Sequence, residues 1–271
     1  PLLGERLGLF QNSLGSYGPL EGFAGNRLAG VQFGYKPWRA LVLARQTLRW
    51  PMKGLLPDAE LFHATEHLLP PLGDLPTVLT VHDLIFEHYP QYHKRANYMY
   101  LRAAMPLYVR RASAIITISD STRDDLVSLY HVPDERIHVI AEAAAPGFGP
   151  QSPQRVAEVR ARYHLPTRYI LAVGTIEPRK NLSRLVDACG PLFDRDLADG
   201  LVLVGSRGWL VDEFDAHLAA SPWRDRVILP GFVQEADLPA VYAGALITAQ
   251  PSLYEGFGLP VLEAMACGSP V

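Results

Sequence analysis

Glu255 and Glu263 bracket seven residues, GFGLPVL, in a stretch that follows an apolar run and leads into an amphipathic one. Gly256 and Gly258 let a backbone come close to a ligand, because neither carries a Cβ. Pro260 suits the first turn of a helix, whose exposed amide groups favour an anion. The chemistry this stretch fits is a phosphate cradle over Gly256, Phe257, Gly258 and Leu259. Glu263, about one turn inside the helix, can accept hydrogen bonds from vicinal hydroxyls such as those of a ribose, and Glu255 can face a second polyol. A glycine turn with a capping carboxylate would give the same letters, and only the paired acids favour the binding reading. A second stretch, GTIEPRKN (174–181), again joins an apolar run to a helical one. Arg179 and Lys180 stand there at the carboxyl edge of a strand, where open α/β sheets bind ligands. Together they suit a diphosphate, against the plainer reading of two solvated loop cations.

Other candidate chemistry is weaker. His82-Asp83 follows the apolar run 77–81, a pattern shared by site residues and by turns with a satisfied imidazole. His63-Ala64-Thr65-Glu66-His67 spells HxxEH, a zinc arrangement only when helical. The preceding residues 60–62 read as strand and Pro70-Pro71 ends any helix, so no metal site is expected. A dinucleotide fingerprint starting at Gly256 fails at its third glycine, where Val261 stands.

These residues need a scaffold, and short β-rich runs alternating with amphipathic stretches supply an α/β one. Strands are expected at 77–81, 114–118, 137–140, 169–173, 201–204, 226–229 and 245–249. Ser119 and Asp120 can cap a helix over 121–130, and Asn181 one through Leu182, Leu185 and Val186. The Pro- and Gly-rich stretch 145–153 can continue neither element and reads as a linker, giving domains 1–150 and 151–271. The 271 residues suffice for two domains. The 25 basic and 28 acidic side chains leave a net charge of −3, with no field to hold a nucleic acid. Cys189 and Cys267 form no CxxC pair, which suits a reducing cytoplasm. No apolar run is long enough to span a bilayer. Lys94, Arg95, Arg102, Arg110 and Arg111, interleaved with Tyr92, Tyr98, Tyr100 and Tyr108, make a basic and aromatic stretch. A solvated helix face is the main reading and contact with anionic lipid the minor one. The chain starts without Met and stops inside an apolar run, and so reads as truncated at both ends.

The second half resembles the retaining glycosyltransferases of family 4 in VGTIEPRKN (173–181), LVLVGSRGW (201–209), LPGFV (229–233) and PSLYEGFGLPVLEAMACGSPV (251–271). In the first half LFHATEHLLPP (61–71), TVLTVHDLIFEHYP (77–90) and AIITISDSTRDDL (114–126) extend the likeness. The resemblance implies the GT-B fold, two Rossmann-like domains whose parallel sheets face across a cleft, with an acceptor-side first domain and a nucleotide-sugar-binding second. It implies that Glu263 holds the donor ribose, that Glu255 with the backbone at Gly256, Phe257, Gly258 and Leu259 holds the donor sugar and diphosphate, and that Arg179 and Lys180 stabilise the leaving nucleotide. By the same likeness the backbone at Phe232 and Val233 contacts the nucleobase, His82 faces the donor sugar, and Asp83 orients that imidazole or contacts acceptor.

Three departures limit the carry-over. Thr175 stands where many relatives have an arginine, leaving Arg179 as its substitute. The first domain's opening strand is not recognisable, and its glycine-rich loop has only a distant counterpart in Gly15-Ser16-Tyr17-Gly18. The helices that complete the second domain are not reached. The function expected is retaining transfer of a hexosyl unit, with mannose from GDP-mannose as the lean, from a nucleoside-diphosphate sugar to a hydroxyl of a sugar or lipid-linked glycan acceptor in polysaccharide or glycolipid synthesis. No cofactor or metal is expected. The expected location is the cytoplasm, with peripheral contact at the inner membrane face as a secondary expectation. A GT-B sugar-nucleotide epimerase or hydrolase, or a noncatalytic nucleotide-sugar-binding remnant, is the alternative.

Overall fold

The computed structural model describes residues 7–14 and 27–271, which form two compact units. The first comprises the described residues up to His82 with Met99–Ile140, the second Asp83–Tyr98 with Ala141–Val271. The changeover at Ile140 falls just ahead of the Pro- and Gly-rich stretch, and residues 141–152 carry neither helix nor strand.

In the first unit β1 (Gly8–Asn12) and β2 (Arg27–Val31) pair in parallel, and α1 (Tyr35–Thr47) follows. Gly15-Ser16-Tyr17-Gly18 lies outside the described residues. A second parallel sheet runs β3-β4-β5-β6, from β3 (Phe62–Ala64), β4 (Thr77–Val81), β5 (Ala114–Thr117) and β6 (Ile137–Val139). Between β4 and β5 come the short α2 (Ile85–His88), which packs with the second unit, and α3 (Arg95–Arg111). Burial of Leu101, Ala104, Met105, Tyr108 and Val109 at helical spacing fixes the inward face of α3. Tyr108 of the basic and aromatic stretch thereby leaves its surface, and Tyr100 is half-buried. Tyr108 is fully buried, the Tyr100 and Tyr108 hydroxyls are 2.7 Å apart, and Arg39 lies 3.7 Å over the Tyr100 ring. Between β5 and β6 runs α4 (Asp120–Tyr130), capped by Ser119, whose hydroxyl accepts from Thr122 N–H at 3.2 Å.

The second unit continues with α5 (Pro153–Arg162), β7 (Tyr169–Val173), α6 (Leu182–Asp194), β8 (Gly200–Val204), α7 (Asp212–Ala220), β9 (Val227–Gly231), α8 (Leu238–Ala243), β10 (Ile247–Thr248) and α9 (Leu259–Ala266). Its parallel sheet has the order β10-β7-β8-β9. Strand alternation sends Tyr169 and Leu171 into one core layer and Ile170 and Ala172 into the other, so both faces are covered, as a parallel sheet requires. The second layer takes Leu182, Leu185, Val186, Cys189 and Phe193 from α6. Gly190 on that helix admits the Trp223 ring, which a Cβ there would meet at 2.5 Å. Asn181 is the N-cap residue of α6 but caps nothing with its side chain. Its φ of 56° is left-handed and its amide donates to Pro251 O at 3.1 Å, tying two loops together. The strand order reverses between β7, which continues into β8, and β10, which returns to its other side. Such a reversal opens a crevice at the carboxyl ends of the strands.

Candidate functional site

At that reversal the loops after β7 and β10 meet. The β7 loop turns at Gly174, whose φ is 141°, and Lys180 lies so close that a Cβ at 174 would sit 3.3 Å from its Cε. Gly205 is packed harder, since a Cβ there would come within 2.1 Å of Gly174 O. Glu177, Arg179 and Lys180 follow on a tight 3-10 turn, Pro178–Lys180. Leu253 N–H donates to Arg179 O at 2.9 Å, joining the turn to the β10 loop.

Glu255 is the centre of the charge cluster. Its carboxylate accepts from Lys180 Nζ at 2.7 Å, Arg179 Nη1 at 2.8 Å and Gln250 Nε2 at 2.8 Å. Arg179 also donates to Tyr254 O at 2.8 Å and to Glu177 at 2.5 Å. Both cations are 14% exposed and Glu177 only 4%, so solvent screens these pairs weakly. Burial alone would push the Glu255 carboxyl up, but hydrogen bonds from Lys180 and Ser252 and the nearby cations hold it below its ordinary value. Burial likewise works against the Arg179 charge, and Glu255 and Glu177 outweigh it, so the guanidinium stays charged.

The predicted glycine loop enters α9 at Gly258, whose φ of 98° favours glycine. No side chain caps this terminus and no acid stands in its first turn, which leaves amide groups and the positive end of the helix dipole for an anion. Glu263 lies one turn inside and accepts from the Tyr242 hydroxyl at 2.7 Å. Burial, and then Glu263 itself, push the Tyr242 phenol up, so it remains a neutral donor that orients the carboxylate. After β9, Val233 is buried in the core whereas Phe232 is 77% exposed.

The structure thus brings Arg179, Lys180, Glu255 and the α9 terminus together on the second unit. His82 belongs to the first, at the end of β4. Its Nε2 is 2.9 Å from Thr65 O, and because a carbonyl only accepts, that nitrogen carries the proton. The Asp83 carboxylate accepts from Ile85 N–H at 3.1 Å and so starts α2. His63 sits on strand β3 with Nε2 2.8 Å from Thr80 Oγ1, so HxxEH lacks the helix its zinc reading needs. Among the described residues no three His, Cys, Asp or Glu side chains form a metal-holding group. No helix among them is long and apolar enough to cross a membrane.

Sequence reasoning missed the supports: Glu177, Gln250, Tyr242, and the segment after β4. In that segment His88 stacks on Tyr254 with ring centroids 4.9 Å apart, and the Tyr89 hydroxyl donates to Leu253 O at 3.4 Å. Tyr92 O accepts from Trp209 Nε1 at 2.5 Å. The acid Glu177, one residue from Pro178-Arg179-Lys180, was the one signal present in the letters.

Residues 18–143 match the family model Glycosyltransferase Family 4, and residues 159–271 match Glycosyl transferases group 1. The chain is 35% identical over 196 residues to the O-antigen chain mannosyltransferase B of Escherichia coli, covering 72% of this chain and 51% of that protein. It therefore spans about half the length of that relative. Among solved structures, a sucrose-phosphate synthase from Thermosynechococcus elongatus superposes with a TM-score of 0.72 at 22% identity, covering 100% of this chain and 73% of that one. Anabaena HepE in complex with UDP and glucose does so at 0.65 and 21%, covering 93% and 67%. The fold is that of the GT-B glycosyltransferases, built from two Rossmann-like units.

Proposed function

We propose that this chain, which belongs to the group 1 and family 4 glycosyltransferases, moves a hexosyl unit with retention from a nucleoside-diphosphate sugar to a hydroxyl acceptor. The observation that carries the reading is the Arg179–Lys180–Glu255 cluster beside the uncapped α9 terminus, at the reversal of strand order. As the glycosidic bond breaks, negative charge grows on the β-phosphate. Two prepositioned cations and a helix dipole stabilise it without reorganising. Glu255 holds those cations in place and accepts from donor-sugar hydroxyls, and Glu263, set by Tyr242, accepts from the ribose. The backbone at Gly256, Phe257, Gly258 and Leu259 cradles the phosphates, and Phe232 and Val233 border the nucleobase. His82 and Asp83 serve the acceptor side. Positive potential already present at the diphosphate makes a divalent metal unnecessary.

The name of the E. coli relative, an O-antigen chain mannosyltransferase, supports mannose as the sugar moved and a glycan as acceptor. GDP-mannose as donor and a free or lipid-linked cell-surface glycan as acceptor are part of the proposal. HepE with UDP and glucose keeps a uridine donor as the second reading. Calorimetric titration with GDP-mannose and UDP-glucose in EDTA, then transfer with the product anomer read by NMR, tests the proposal. An α-linked product formed from GDP-mannose in EDTA is expected. A metal requirement, an inverted product, or hydrolysis or epimerisation of the donor without transfer would overturn it.

A further inference from the structure

At the amino ends of β4 and β5 the first unit carries a cavity of about 470 Å³ lined by Arg49, Arg110 and Arg111, with Thr77 and Ser113 at the strand starts. His82 follows the opposite end of β4, about 16 Å away at the rise of an extended strand. Leu69, Pro70 and Pro71 make the apolar wall and are buried, while Arg49 and Arg110 are exposed. Asp74 is the one acid in the lining, against three arginines.

The cationic wall is built rather than incidental. Gln46 is 1% exposed, donates from Nε2 to Leu69 O at 2.7 Å, and accepts from Arg111 Nη1. The Arg111 guanidinium is therefore fixed by a neutral amide, which orients it without cancelling its charge. Arg49 stands near enough to repel it, and burial together with that repulsion lowers the Arg111 pKa. Arg49 itself follows the end of α1 with φ 54°, a left-handed backbone. Two neighbouring guanidiniums, one of them fixed by an amide and with Asp74 the one acid in the lining, favour an anion between them. Guanidinium forks match phosphate oxygens in pairs.

We infer that this cavity is a second anion site, separate from the donor site, that takes a phosphate group carried by a small molecule or by a lipid headgroup. Arg111, held by Gln46, and Arg49 grip the phosphate from two sides, and Arg110 adds charge at the mouth. The proposal stands independently of the donor reading, because none of these residues belongs to the donor cluster.

The test uses the whole chain with inorganic phosphate as probe, followed as the shift in melting temperature against chloride at equal ionic strength. Phosphate is expected to raise the melting temperature in a saturable way. Arg49→Asn, which keeps a residue tolerant of left-handed backbone, and Arg110→Gln should each weaken half-saturation, the pair together at least about tenfold. Lys180→Ala, in the donor cluster, removes the donor site's own share of the phosphate response, so the arginine variants are compared in that background, where a saturable response should persist. Sedimentation with phosphatidylcholine vesicles containing phosphatidic acid then tells the two sources apart. Binding lost in the double variant assigns a lipid headgroup, and no vesicle binding beside a retained phosphate response assigns a soluble phosphate compound. A wild-type chain that responds no more to phosphate than to chloride and ignores the vesicles would overturn the inference. So would a response in the Lys180→Ala background that the two arginine substitutions leave unchanged, or its disappearance in Lys180→Ala alone.

Discussion

A carboxylate that accepts from Arg179 and Lys180 at 2.8 and 2.7 Å keeps two weakly solvated cations from repelling one another. Glu255→Ala should therefore lower stability by about 1–3 kcal/mol in urea unfolding, less than a fully buried pair would lose because some solvent reaches the site. A nucleoside diphosphate, by supplying the missing anion, should return part of the loss. An Ala variant as stable as the parent, with or without nucleotide, would remove the cluster's assigned role. Glu263 offers a graded test, since Tyr242→Phe takes away only the 2.7 Å donor that orients it. Glu263→Ala should weaken donor binding by about 1–3 kcal/mol in calorimetry, and Tyr242→Phe by less. Equal losses would mean that the carboxylate acts only through the phenol. Arg179, Lys180, Glu255 and Glu263 could be singled out in the sequence because each is a charge in or just after a Gly- or Pro-containing stretch that follows an apolar run. Tyr242 and Gln250 were not, because a tyrosine in a core helix and a glutamine after a strand look like packing until the fold shows what they touch. Asp83 was assigned beside His82 by the family likeness, and its carboxylate accepts from the Ile85 amide.

The loop carrying Glu255 is held from two directions, by the β7 loop through Arg179 O and by the segment after β4 through His88 and Tyr89. An aromatic stack of this kind contributes about 0.5–1.5 kcal/mol beyond the area it buries. Tyr254→Ala should cost turnover roughly two- to tenfold and lower stability in urea by about 0.5–1.5 kcal/mol, whereas Tyr254→Phe, which keeps the ring, should retain most of both. Matching losses in the Phe and Ala variants would show that the hydroxyl, not the stack, matters. The strands and crossover helices that support these loops were legible, because parallel strands covered on both faces read as continuous apolar runs such as YILAV and LVLV. The association of Asp83–Tyr98 with the second unit was not, since neither composition nor periodicity marks where a loop docks. The pair β1 and β2 went unread for a different reason. GLFQN and RLAGV alternate too weakly to stand out from loop sequence. Asn181 was read as a cap from its residue type, but a left-handed residue points its side chain elsewhere, here to Pro251 O.

Across the whole molecule the carboxylates held below their ordinary range include Asp199, Asp237 and Glu255, and all three lie in the second unit. Asp237 is the most enclosed, 2% exposed, and binds Arg155 and Arg162 and the Tyr163 hydroxyl, so it staples α5 to the start of α8. Burial by itself would raise its pKa, and the Arg162 and Tyr163 hydrogen bonds and nearby arginine charge reverse the sign. A carboxyl whose folded pKa is depressed contributes stability that is present above its unfolded value, near 4, and is lost as pH falls through the folded one. The second unit should therefore unfold first on acidification, with stability level above about pH 5 and falling steeply below about pH 4. Two units with different acid sensitivity give two transitions rather than one. Asp237→Asn should remove about 2–3 kcal/mol at neutral pH, a buried-pair loss reduced by the exposure of both arginines, and should flatten the acid limb of the second unit's transition. Tryptophan fluorescence separates the units, because Trp209 and Trp223 belong to the second and Trp38 and Trp50 to the first. In variants keeping one pair, with the other two replaced by Phe, the Trp209/Trp223 signal should change at the higher pH and shift in Asp237→Asn, while the Trp38/Trp50 signal should not. A single transition with an unaltered acid limb in Asp237→Asn would mean that these ion pairs do not set the acid limit of the molecule.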